Sequence, residues 1–120
     1  MPPTNSQIAE TLSQNGVDQL TAGCPAEAVE SFREAIAADP AHTEAYHGLV
    51  RALRDEGKIE QSIAAALALT ALTPNDPLAH AALSISLQHA GQVPEAEAAS
   101  ARARVLEWKI QLQSPPDRGL

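Results

Sequence analysis

Four histidines, one cysteine and a close pair of arginines are the residues of this 120-residue chain whose types and spacing could do chemistry. His42 and His47 lie five apart and so do not share a helix face, whereas a helical metal pair needs a spacing of four. His80 and His89 fall on a later segment, and His47 and His89 could meet only across two helices. A zinc site needs three or four convergent ligands. No metal or cofactor is expected. Cys24 stands before Pro25 near a helix start, a place that lowers a thiol pKa, but Glu27 and Glu30 oppose the effect. An inert thiol is expected. There is no Gly-x-Ser-x-Gly elbow and no glycine-rich phosphate loop, so an enzyme is not expected. Arg51 and Arg54 are three apart and share a helix face, which suits them to a carboxylate ligand.

Composition narrows the setting for these residues. Fifteen acids against eight Lys and Arg give a net charge of −7, which argues against a nucleic-acid or anionic membrane surface. Apolar residues make up 44% of the chain, enough for a core. Alanine is the largest share of them, and the aromatic residues are Phe32, Tyr46 and Trp108. Alanine favours helix and lets helix axes approach closely, so an all-α fold with thin interfaces follows. A single cysteine excludes an intrachain disulfide. The first residues lack the basic and apolar runs of a secretory signal, and no apolar stretch is long enough to span a bilayer. A soluble, cytoplasmic protein is expected.

The elements that position these residues repeat. Gly23-Cys24-Pro25-Ala26-Glu27-Ala28, Gly57-Lys58-Ile59-Glu60-Gln61-Ser62 and Gly91-Gln92-Val93-Pro94-Glu95-Ala96 are in phase, with the glycines 34 residues apart. Asp39-Pro40 and Thr73-Pro74 keep the same period. The blocks are about 9–42, 43–76 and 77–110. Each glycine follows a helical pattern, where a left-handed C-terminal cap belongs. Pro25, Pro77 and Pro94 fall near helix starts, and Asp76 is an N-cap candidate. Apolar spacing predicts helices over 6–21, 25–38, 42–55, 59–72, 77–89 and 94–112. Residues 1–5 and 114–120 read as mobile ends around a single domain, 6–113.

With these marks the chain resembles the tetratricopeptide-repeat family. Block one matches through Leu12, Gly16, Ala28, Phe32, Ala35 and Pro40. Block two matches through Tyr46, Leu49, Ala66 and Pro74, with Ser62 and Leu69 at small-residue positions. Block three matches through Leu83, Leu87, Ala96 and Ala103, with His80 at the first large position, a packing slot, and Ser100 at the aromatic one. The resemblance implies a right-handed superhelical solenoid of three antiparallel hairpins. Trp108 stands where the closing proline would be, so the last helix is expected to run on through Val105, Leu106, Trp108, Ile110 and Leu112 and to cap the stack.

The same resemblance implies a concave groove lined by the first helix of each pair. It places Glu10, Ser13, Val17, Leu20 and Thr21 there from the first helix. Glu44, His47, Gly48, Arg51, Arg54 and Asp55 come from the third, and Leu78, Ala81, Ala82, Ile85, Gln88 and His89 from the fifth. The family's clamp of Lys, Arg and Asn for a C-terminal carboxylate is absent: Ser13, Val17, Gly48, Leu78 and Ala82 hold those places. Two alternatives stay open for the arginines. They pair with Glu44, Asp55 or Glu56 as solvated ions, or they offer charge to a ligand between apolar shoulders. On the second alternative Val17, Leu20, His47, Arg51, Arg54, Ile85 and His89 contact a protein or peptide that carries an acidic residue and apolar anchors. The rival reading is self-assembly, with Trp108 as an exposed anchor between copies.

Overall fold

The computed structural model describes residues 1–113, and the expected tail 114–120 lies outside them. Six α-helices follow in order: α1 (Asn5–Thr21), α2 (Pro25–Ala38), α3 (Thr43–Asp55), α4 (Ile59–Leu72), α5 (Pro77–His89) and α6 (Val93–Gln113). They pack as the hairpins α1/α2, α3/α4 and α5/α6, and α2 meets α3 and α4 meets α5 to stack them. The helix starts and stops lie within one residue of the spacing-based limits. At the N-terminus, the Thr4 side chain accepts from the Gln7 amide at 3.1 Å while Gln7 Oε1 accepts from the Thr4 amide at 2.8 Å, so helix begins at Asn5.

The three hairpin turns are built alike because one device closes each first helix. Gly23, Gly57 and Gly91 have φ of 80°, 78° and 75°. The amide of each glycine donates to the carbonyl three residues back, and the next amide donates to the carbonyl five back, as in Lys58 to Leu53 at 2.9 Å. A Cβ at Gly57 would meet nothing within 4 Å, so its requirement is conformational alone. Gly57→Ala is expected to lower stability by about 1 kcal/mol, read as a lower urea midpoint, while Gly57→Asn should lose less.

The connections between hairpins share a second device. Tyr46 Oη donates to the Pro40 carbonyl at 2.8 Å. One period later, His80 Nε2 lies 2.8 Å from the Pro74 carbonyl. A carbonyl only accepts, so this nitrogen carries the proton. His80 thus does the structural task of Tyr46, as its slot in the repeat implies. Asp76 caps α5 by accepting from the Leu78 amide at 3.0 Å.

Packing is organised around one ring. Phe32 on α2 is fully buried, and it is wedged between Gly16 on α1 and Gly48 on α3. A Cβ at Gly16 would come within 2.7 Å of that ring, and one at Gly48 within 2.2 Å. Ala9, Ala28, Val29, Ala35, Ala45, Leu49, Ala52 and Leu53 complete this first cluster. One period on, Ala66 takes the place of Phe32, and Val50 and Ala82 take the places of Gly16 and Gly48. Those three sit in the second cluster with Leu83, Leu87 and Ala96. Where the ring is lost, the flanking helices have regained side chains, as close packing requires.

The last helix does run on as the missing proline implies, but its added turns stand clear of the stack. Leu106 is buried, whereas Trp108 is 61% and Leu112 66% exposed. Among the described residues α6 packs on α5 alone. Among the described residues no helix is long and apolar enough to cross a membrane.

Candidate functional site

The first helices of the hairpins, α1, α3 and α5, line one face, which carries two adjoining depressions. The first, about 450 Å³, lies between α1 and α3 and is lined by Val17, Leu20, Thr21, Glu44, His47, Gly48 and Arg51. The second, about 330 Å³, lies between α3 and α5 and is lined by His47, Val50, Arg51, Arg54 and by Leu78, Ala81, Ala82 and Ile85. His47 and Arg51 stand between the two and border both. Repeat arithmetic explains the chemistry. Val17, Arg51 and Ile85 are one position in three repeats, and so are Leu20, Arg54 and Gln88. The central repeat supplies charge where its neighbours supply apolar Val17, Ile85 and Leu20 and the uncharged Gln88.

Arg54 is the distinctive group. It is partly buried, and its Nη1 donates to Ser86 Oγ on α5 at 3.4 Å. Ser86 is itself fully buried. Burial pulls the Arg54 pKa below the usual arginine value; Asp55 opposes that shift and the Arg51 charge adds to it. The guanidinium stays cationic at neutral pH. Among the described residues no carboxylate lies within ion-pair distance of it. Of the three carboxylates that could neutralise the pair, one reaches Arg51 and two lie beside other side chains. Glu44 lies 4.0 Å from His42, Glu56 lies 3.6 Å from Lys58, and Asp55 reaches Arg51 at 4.0 Å. That last pair is exposed and contributes little.

Six of the seven expected contact residues therefore come together: Val17, Leu20, His47, Arg51, Arg54 and Ile85. His89 does not join them. It is exposed, and its Nδ1 lies 2.9 Å from the Ile85 carbonyl of its own helix, within hydrogen-bond reach. Ser13 is buried and does not line the groove. Gly48 borders the first depression, but the ring of Phe32 lies behind it, which explains why no side chain stands there. Ser86 is the member that spacing alone missed. A buried serine facing an arginine 32 residues earlier leaves no local mark in the sequence. Among the described residues no group of three His, Cys, Asp or Glu could hold a metal ion.

The model of the tetratricopeptide repeat matches residues 19–85, more than half of the chain. The chain belongs to the tetratricopeptide-repeat family. Solved tetratricopeptide structures carry the same fold. One is the second such domain of Spaghetti (RPAP3) bound to the HSP90 peptide SRMEEVD, 22% identical over 85% of this chain and 94% of that one, with a TM-score of 0.78. The protein MamA is 20% identical with a TM-score of 0.81, and the match covers 87% of this chain but 61% of MamA. The type III secretion translocator chaperone SycD of Yersinia enterocolitica, in an alternative dimer, is 20% identical over 84% of this chain and 76% of its own, with a TM-score of 0.78. At these identities the likeness is one of fold. A comparison with curated protein sequences gives no significant match. The tetratricopeptide repeat is a protein-interaction fold, and the face that positions Arg51 and Arg54 is made by the first helices of its three hairpins.

Proposed function

We propose that this tetratricopeptide chain is a protein-binding adaptor whose groove holds a peptide segment of a partner. The segment carries an acidic side chain set between apolar ones. The observation that carries this reading is Arg54, a partly buried cation whose hydrogen bond goes to a serine and which has no carboxylate partner among the described residues. Desolvating a charge without an opposite charge is unfavourable, and a ligand carboxylate would offset that cost with charge-assisted hydrogen bonds from Arg54 and Arg51. Val17 and Ile85, 45% and 41% exposed, give the apolar shoulders. The Spaghetti domain shares the fold and holds a peptide with acidic residues. In this chain the clamp positions are Ser13, Val17, Gly48, Leu78 and Ala82, none of them cationic. The ligand is therefore an internal acidic segment, held through a side chain and not through a terminal carboxylate.

Affinity capture from native lysate, with bound proteins identified by mass spectrometry, tests the reading. The wild type is expected to retain a partner that the Arg51→Glu, Arg54→Glu double variant loses. Equal capture by both would sink the proposal.

A further inference from the structure

We propose that His47 takes up a proton when the groove takes its acidic segment, so that binding tightens as the pH falls from about 8 to about 6. The proposal rests on the groove holding such a segment and adds how that holding is regulated. One set of positions recurs along the groove. Ser13, Val17 and Leu20 fill it in the first repeat, His47, Arg51 and Arg54 in the second, and Ala81, Ile85 and Gln88 in the third. Successive members are four and three residues apart, so each set shares one helix face. Only on α3 does every member carry, or accept, a proton.

The other histidines are engaged by the fold. His42 is largely buried and lies 4.0 Å from Glu44. His80 Nε2 is 2.8 Å from the Pro74 carbonyl, and His89 Nδ1 is 2.9 Å from that of Ile85. His47 differs from all three. It is half-buried, borders both depressions, and has no hydrogen bond or ion pair among the described residues. A neutral imidazole offers one donor and one acceptor, and here the fold uses neither.

The surroundings of His47 set the sign of the effect. Glu44, Arg51 and Arg54 of its own helix border the same depressions. The residues that α1 and α5 contribute, among them Thr21 and Leu78, have no titratable side chain. His47 is one helical turn from Arg51, so a carboxylate brought onto Arg51 and Arg54 arrives beside the imidazole as well. Added negative charge there favours the imidazolium over the neutral ring. The proton is then held more tightly in the complex than in the free chain. Affinity gained in this way is present at low pH and is lost as the pH rises through about 5 to 8, where histidine changes charge. A ligand with asparagine in place of the acid adds no charge and gains nothing.

The probe for the test is a blocked pentapeptide, acetyl-Leu-Ala-Asp-Ala-Leu-amide, with its asparagine twin as the uncharged control. Isothermal titration calorimetry of the whole chain at about pH 6 and about pH 8 reads both. The aspartate peptide is expected to bind about three- to tenfold tighter at the lower pH, the equivalent of about half to one unit of proton affinity. The asparagine peptide should bind weakly and equally at both. Buffers of different ionisation heat should show proton uptake with the aspartate peptide alone. In His47→Gln the pH ratio should fall to about one, whereas in His89→Gln, outside the site, it should stay. Equal affinity at both pH values, with binding still lost in the Arg51→Glu, Arg54→Glu variant, overturns the proposal and leaves the groove reading standing. A pH dependence that survives His47→Gln overturns it too, and its loss in His42→Gln would assign the effect to the His42–Glu44 pair. Binding that the double arginine variant retains, or no binding at either pH, sinks the groove reading and this proposal with it.

Discussion

Replacing Phe32 by alanine is expected to cost about 3–5 kcal/mol of stability, a large part of what a domain of this size has. The ring is fully buried and fills the space that Gly16 and Gly48 leave between α1 and α3. The sharper experiment is on its partner. In a helix interior Gly→Ala ordinarily stabilises by up to about 1 kcal/mol. At Gly48 the added methyl would sit 2.2 Å from the ring, against helices that α2 and α3 hold in place. Gly48→Ala is therefore expected to destabilise by about 1–3 kcal/mol. In the Phe32→Ala background the same change should become neutral or favourable, a coupling of opposite sign. The triple variant Gly16→Val, Phe32→Ala, Gly48→Ala reproduces the pattern of Val50, Ala66 and Ala82 in the next repeat and should recover part of the loss. Urea denaturation of the set measures each value. A stabilised Gly48→Ala in the otherwise unchanged chain would refute the wedge.

Arg54 makes the second large prediction, and it separates stability from function. Arg54→Met keeps the aliphatic volume and removes a partly buried cation whose partner is a serine. Removing this charge relieves its desolvation cost, and that gain offsets the loss of the long 3.4 Å bond to the buried Ser86 hydroxyl. The thermal midpoint is expected to hold or rise slightly. Binding of the acidic partner segment should fall by about 10- to 100-fold, the worth of a charge-assisted hydrogen bond of about 1.5–3 kcal/mol. A clear loss of stability together with unchanged binding would make Arg54 a structural residue. Arg51→Met, at an exposed ion pair with Asp55, should weaken binding less and leave the midpoint where it is.

Elements set by local chemistry were legible from residue order. Glycine at each left-handed cap and proline at the starts of α2, α5 and α6 act within a few positions, and the six helices lie within a residue of their expected limits. The groove was legible in part. Its members follow from phase within the repeat once the family resemblance assigns faces, which is why six of the seven residues line the two depressions. His89 fell outside because its ring turns back to the Ile85 carbonyl of its own helix, a contact that spacing does not encode.

The sequence by itself determined the period, the hairpins and the residue types that face the groove, because each depends on signals closer than one repeat. Tertiary structure alone decided three things. It set Phe32 against Gly48 and so gave that glycine a packing duty, although its place in the repeat suggests a groove role. It brought Ser86 to Arg54 across 32 residues. It also left Trp108 and Leu112 in solvent, since among the described residues α6 packs on α5 alone. Each of the three depends on which surfaces meet after folding, and such contacts join residues too far apart in the chain for local preference to fix them.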